Sequence, residues 1–187
     1  MAALLAICFG LASGSASAAD LEEVLAGFDR AQKAVQTLSA RFVQTTTNPM
    51  LKDPIRAEGL FYMTKPDSIR WEYTTPEEMS FVIYNDRYTG YYPSRKRAEK
   101  KNVQRYSERI FRYFGLGQMS GELSKSYDIS LAGPETGGVD NHVLLLKPRK
   151  RRARKRVEEV RFWVDATSYL PVRVEYEGKD GNMRTVE

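Results

Sequence analysis

A chain of 187 residues, 42% hydrophobic and 28% charged, is long enough to bury a sizeable core in one domain. One cysteine and one histidine exclude Cys-x-x-Cys redox or zinc motifs and any cluster of imidazole ligands. The net charge of +5 is local: residues 147–156, KPRKRRARKR, hold eight basic side chains, and the remaining 21 Lys+Arg stand against 24 Asp+Glu, a balance of −3.

Residues 1–19, MAALLAICFGLASGSASAA, carry no charge and end in small side chains. The apolar run 4–11 is too short to span a bilayer, and Ala16-Ser17-Ala18 fits a small-x-small cleavage site. The segment reads as a secretory signal peptide cut after Ala18 or Ala19, with a buried N-terminal helix as the other reading. No Lys or Arg precedes the apolar run, which fits a start lying upstream. Cys8 lies inside it behind Ile7, where a lipidation site needs a small residue, so the mature chain is expected to have no thiol.

Residues 20–38 read as the one long helix: Leu21, Val24, Leu25, Phe28, Ala31, Val35 and Leu38 recur at three- and four-residue steps. Asp20 is placed to cap it, with Glu23 completing a capping-box pattern. Strands are expected at 39–46, 55–63, 68–74, 79–84, 87–92 and 97–103. Residues 57–93 carry the clearest two-residue alternation, broken by turn chemistry at Lys65-Pro66-Asp67, Thr75-Pro76-Glu77 and Asn85-Asp86. Tyr106, Ile110, Phe111 and Phe114 then fit a short amphipathic helix over 106–116, ended by Gly115 and Gly117. A second helical piece is expected near 119–123. Strands resume at 126–132, 141–147, 157–165, 170–177 and from 183, with turns at Gly137-Gly138, 165–168 and 179–182.

The pattern predicts an α+β domain over 20–187. Ten or eleven antiparallel strands curl rather than lie flat, which gives a strongly curved sheet, an unclosed β-barrel. The N-terminal helix and the short helical insert are left to cover its mouth.

Catalytic constellations are missing from the sequence. His142 stands alone in a strand opening, and no G-x-S-x-G or H-E-x-x-H occurs. The pairs Glu77-Glu78 and Glu158-Glu159 are strand neighbours, which point to opposite faces and cannot form a dyad. The chain therefore reads as a binding protein, not an enzyme, with no cofactor and no metal site. Phe42, Phe61, Met63, Trp71, Phe81, Ile83 and Phe162 share the apolar side of the strands; they either fill the barrel or line a cavity. The insert, with Phe111, Phe114 and the adjoining Met119, is either core or a movable cover for that cavity.

Arg149, Lys150, Arg151, Arg152, Arg154, Lys155 and Arg156 fall in a hairpin loop between two strands. Basic clusters bind phosphates, but this one holds no aromatic residue to stack on bases, and an exported protein seldom meets nucleic acid. Anionic lipid head groups or an acidic partner face fit better; a solvated loop is the plain alternative.

L-x-A-x-F-x-Q at 38–44, G-x-F-x-x-x-K-P at 59–66, R-W-E-Y at 70–73 and Tyr91-Tyr92-Pro93 resemble, in order and spacing, the periplasmic lipoprotein carriers of the LolA type. The resemblance covers about 20–93. It implies an unclosed barrel lidded by helices, an apolar cavity for lipoprotein acyl chains or another lipid, and a periplasmic, non-catalytic monomer working between an inner-membrane transporter and an outer-membrane receptor. In that picture Lys65 and Arg70, on the strand rim, hydrogen-bond lid carbonyls or a polar group of the ligand; solvated surface charge is the plain alternative for both, and for Arg70 it weighs at least as much. The family has an Arg before the Pro where this chain has Lys65, which offers donors without a rigid fork. Related chains run on past the final hairpin, so further segments are expected after Glu187. Two other readings stay open: a lipid-sensing or interaction module on the same fold, and an envelope polyanion binder acting through the basic loop.

Overall fold

Apolar residues at every second position suit a sheet with one dry face, and short turns between them favour antiparallel neighbours. The computed structural model describes residues 18–103, 119–133, 136 and 140–187. Helix α1 (Ala18–Ala34) precedes β1 (Thr37–Thr47), β2 (Ile55–Thr64), β3 (Ser68–Thr75), β4 (Met79–Tyr84), β5 (Arg87–Tyr92) and β6 (Arg97–Asn102), with a 3-10 turn at Pro93–Arg95. Helix α2 (Ser120–Ser124) leads into β7 (Tyr127–Leu131) and β8 (Asn141–Pro148). A single turn, α3 (Arg151–Arg154), then precedes β9 (Val157–Asp165), β10 (Pro171–Gly178) and β11 (Met183–Val186).

The eleven strands of the described residues form one sheet in the order β6-β5-β4-β3-β2-β1-β11-β10-β9-β8-β7. The terminal strands β6 and β7 do not pair with each other, so the barrel is unclosed and the class is α+β, as expected from the sequence. The sheet has two arms, β1–β6 and β7–β11, each a run of consecutive antiparallel neighbours. They join where β1 meets β11, over four residue pairs from Gln44↔Val186 to Thr47↔Met183. Val43 and Glu187 extend the seam by exchanging backbone hydrogen bonds of 2.9 and 3.0 Å.

Burial alternates along each strand and identifies the concave face. In β2 it falls on Ala57, Gly59, Phe61 and Met63, and in β9 on Val160, Phe162 and Val164. Helix α1 lies against the C-terminal arm. Its Val24 and Phe28 join Leu123, Leu144, Leu146, Val160, Phe162, Val164 and Val174 in one buried cluster. Each such side chain contributes roughly 1.5–3 kcal/mol relative to exposure, which holds a helix too short to persist alone in water. Gly27 allows the close approach: a Cβ there would lie 2.3 Å from the Tyr169 ring. Gly59 serves the other arm, where the Phe42 ring covers its backbone and a Cβ would meet both that ring and the Glu72 carbonyl.

The helix departs from expectation at both ends. Its described span begins at Ala18 and already includes Asp20, in the first turn of that span, where a carboxylate complements the helix dipole. It stops at Ala34, and Leu38 belongs to β1. Leu38 satisfies both periods, seven residues after Ala31 and in parity with Phe42, and the strand takes it. The segment after β8 is not a plain loop, since Arg151–Arg154 form a helical turn closed by the Arg154 amide on the Lys150 carbonyl at 3.0 Å. The expected helix at 106–116, with Phe111 and Phe114, and the Gly137-Gly138 turn lie outside the described residues.

Candidate functional site

The concave face of the N-terminal arm is a continuous aromatic wall. Phe61 packs on Trp71 with ring centroids 4.4 Å apart, and Phe42 meets Trp71 and Tyr73 edge-on at 6.1 and 5.1 Å. Tyr73 leads to Phe81 at 5.9 Å, and Phe81 to both Tyr88 and Tyr92 at 5.9 Å. Register makes this row inevitable: Phe61↔Trp71↔Phe81↔Gly90 are cross-strand partners on four consecutive strands. Such contacts at 4.5–7 Å are the preferred aromatic geometries.

Exposure changes along the wall. Phe42, Phe61, Met63, Ile69, Trp71 and Ile83 are buried, with Val35 and Leu38 packed against that group. Tyr73, Phe81, Tyr88 and Tyr92 are only half-buried. Beyond them the concave side of edge strand β6 turns charged. Glu99 accepts from the Tyr92 hydroxyl at 3.2 Å and pairs with Lys101 and Arg97 at 3.3 and 3.4 Å. Inward charges at an open edge discourage pairing with a foreign strand. The Lys101 hydrogen bond holds the Glu99 carboxyl below the ordinary carboxylate value. Burial, then the Tyr92 hydroxyl and Glu99, push the Tyr88 hydroxyl well above the usual phenol range.

Two polar contacts fasten the helices over the sheet. The Lys65 ammonium donates to the Gln32 carbonyl in the last turn of α1, and the Lys65 amide donates to Gln36 at 2.9 Å. A cation there satisfies a carbonyl near the helix C-terminus and complements the dipole. Asp29 accepts from the Ser120 amide at 2.7 Å and from its hydroxyl at 2.8 Å, which ties α1 to the start of α2. Met119 precedes that helix in extended conformation, its carbonyl accepting from Glu122 and Leu123.

Among the described residues Arg70 reaches no helix: it lies on the convex face and pairs with Glu72. It borders a shallow depression of about 200 Å³ whose other lining includes Tyr62, Val82 and Tyr84. Phe162 is not part of the open wall, because α1 seals it within the C-terminal cluster at 1% exposure. In the basic segment Arg149 pairs with Asp128 at 2.8 Å, while Lys150, Arg151, Arg152, Arg154, Lys155 and Arg156 are exposed. His142 stacks on Tyr169 with centroids 5.9 Å apart. Among the described residues no group of three or more His, Cys, Asp or Glu could hold a metal ion.

Sequence reasoning missed a convex-face network. Arg161 binds Glu159, Glu175 and Glu177 at 2.7, 2.8 and 3.2 Å, and Arg173 binds Glu175 and Glu187 at 3.1 and 3.2 Å while covering the Trp163 ring at 4.5 Å. The alternating charges of 158–161 and 173–177 were its signal. Asp29 and Ser120 are 91 residues apart and carry no local signal at all.

The described residues thus present an unclosed barrel with a wall of stacked rings on its concave face, beside helices that polar contacts hold in place. The chain belongs to the family described as outer membrane lipoprotein carrier protein LolA, whose model matches residues 33–187. Among curated proteins none is matched by the sequence. MucB, in the MucA/MucB complex of Pseudomonas aeruginosa, is similar over 90% of this chain and 55% of its own, at 13% identity and a TM-score of 0.52. LppX, a lipoprotein of Mycobacterium tuberculosis, is similar over 88% and 92% at 14% identity and a TM-score of 0.45. A LolA superfamily protein of Nitrosomonas europaea is similar over 89% and 90% at 12% identity and a TM-score of 0.41. At such identities the likeness concerns the fold.

Proposed function

We propose that this chain is a periplasmic carrier that shelters the acyl chains of lipoproteins, or of another lipid, against its N-terminal aromatic wall and passes them between membranes without covalent chemistry. The observation that carries the reading is the change along one wall from sealed rings, Phe42, Phe61 and Trp71, to half-buried ones, Tyr73, Phe81, Tyr88 and Tyr92. Oily surface kept partly accessible beside a helical cover is where a hydrocarbon tail gains most by binding. Met63 and Ile83 stand at the buried end of the wall, Met119 at the hinge of the cover, and Lys65 at its fastening.

Magnitudes favour a device of this kind. Each buried methylene is worth about 0.8 kcal/mol, so a sixteen-carbon chain is held in a bilayer by roughly 10 kcal/mol or more. A carrier must match that and still release. Hydrogen bonds such as those from Lys65 to Gln32 and from Ser120 to Asp29 exchange readily with water and contribute only about 1–3 kcal/mol net each, so the last turn of α1 and the start of α2 can loosen while Val24 and Phe28 keep α1 on the C-terminal arm. The signal-like residues 1–19 support export, and the family supports a lipoprotein cargo, a membrane transporter as donor and a membrane receptor as acceptor.

The test is displacement of a fluorescent fatty acid from the purified protein by a triacylated lipopeptide. Saturable uptake and stoichiometric displacement are expected. Absence of saturable uptake by the folded protein overturns the reading.

A further inference from the structure

Antiparallel hairpins bring three loops to one rim of the sheet. Thr47 pairs with Met183, Met183 with Glu177, and Gly178 with Val157, so the 48–54 loop, the 179–182 turn and the 149–156 hairpin project side by side. They touch in sequence: a Cβ on Gly181 would lie 2.9 Å from the Pro49 ring, and the Lys179 amide donates to the Arg156 carbonyl at 3.1 Å. At about 4.8 Å per strand, the outer two loops are separated by roughly 15 Å.

This rim carries two features that are unusual apart and meaningful together. On the 48–54 side Met50 is 91% exposed, Leu51 48% and Ile55 52%. Elsewhere in the described residues the exposed large apolar side chains are three tyrosines and Val172. On the hairpin side Lys150, Arg151, Arg152, Arg154, Lys155 and Arg156 make no ion pair among the described residues, although acidic side chains neutralise Arg149, Lys179 and Lys147 beside them. Solvation alone would account for the cations but not for adjacent bare methionine and leucine. An acidic protein face would account for the cations but leave Met50 in water. A bilayer with anionic head groups satisfies both, because charge gathers at the surface while short apolar tips enter the acyl boundary.

We propose that this rim is a membrane-docking edge for a bilayer containing anionic lipid, with Met50 and Leu51 immersed and the 149–156 hairpin resting on the head groups. Immersion of two side chains is marginal by itself, and so is a screened electrostatic contact; the combination gives docking that is reversible and salt-sensitive. The edge is distinct from the aromatic wall, so it stands whether or not acyl chains occupy that wall. It also lies at the opposite end of β2 from the Lys65 fastening, which leaves α1 free while the protein is docked.

The test uses the full chain with sedimentable vesicles of phosphatidylcholine, with or without phosphatidylglycerol. Binding is expected only where phosphatidylglycerol is present, and it should fall as salt rises. R151A/R152A/R154A should weaken partition roughly hundredfold, since each basic residue near such a surface is worth about a fivefold change. M50S/L51S should weaken it about tenfold or more. Emission of an M50W variant should shift to the blue on anionic vesicles and be quenched by brominated acyl chains. Thermal melting of these exposed-loop variants should match the parent and confirms that each is folded. No binding to phosphatidylglycerol vesicles, equal binding by the triple variant, or bound M50W with unshifted emission would each overturn the proposal. Tighter binding to polyglutamate than to vesicles would overturn it in favour of an acidic protein partner.

Discussion

Phe162 and Phe81 hold matching positions, each a concave-facing aromatic within a strand. Phe162 is 1% exposed beneath α1, whereas Phe81 is half-buried among Tyr73, Tyr88 and Tyr92. The same alternation thus yields a sealed core in one arm and an accessible wall in the other. What separates them is the cover: Val24 and Phe28 of α1 complete the C-terminal arm, and the aromatic row of β3–β5 extends past Val35 and Leu38, the described cover of its buried end. On the proposed reading, the division assigns stability chiefly to β7–β11 with α1, and binding to β1–β5.

Truncation of one ring in each arm tests that division most sharply. Phe28→Ala should cost about 3–5 kcal/mol in urea unfolding, with little change in fatty-acid affinity of the molecules that remain folded. Phe81→Ala should cost under about 1.5 kcal/mol and lower that affinity about tenfold. An equal stability cost for both would erase the distinction. Next in size, Gly27→Ala should destabilise by about 1–3 kcal/mol, because the new methyl collides with Tyr169. In a Tyr169→Ala background most of that loss should vanish; a persistent loss would point to the helix backbone instead.

Lys65→Met removes the donor to the Gln32 carbonyl and should cost about 1.5 kcal/mol. Hydrogen exchange across residues 31–36 and the rate of probe uptake should both rise, with Lys65→Arg restoring them. Unchanged uptake would mean that the fastening does not limit access.

The smallest effects are on the acid side. Glu99 in the N-terminal arm is held below its ordinary value of 4.5, chiefly by the Lys101 hydrogen bond, and Asp165 in the C-terminal arm below 3.8, chiefly by the Ser168 amide. With the folded value depressed, each contribution is complete above the unfolded value and lost as pH falls through the folded one. Glu99→Gln should therefore flatten the stability profile below about pH 4.5, and Asp165→Asn below about pH 3.8, in pH-dependent melting. Steeper profiles in either variant would reverse the sign.

Most strands were legible because two-residue parity, Pro-Asp and Asn-Asp turns, and aromatic content agreed over 55–92. The concave face followed directly, and with it Phe42, Phe61 and Trp71. Elsewhere local pattern was ambiguous or silent. Leu38 fits helix and strand alike, and only pairing with Met63 decides it. Phe162 looks like Phe81 until α1 is laid over it. Arg70 and Lys65 read alike as rim cations, but opposite strand parity sends Arg70 outward to Glu72. The Asp29–Ser120 contact depends wholly on tertiary placement, and no window of sequence contains both residues.

The seam between β1 and β11 has a consequence for biogenesis. Residues 183–187 occupy the middle of the sheet, beside a strand that begins at residue 37, so the seam joins segments far apart in sequence. A nascent chain can zip consecutive hairpins, yet it cannot unite its two arms until β11 has emerged. Such long-range closure is slow to find. Completion of the sheet is thereby reserved for a chain whose two arms are both available to pair.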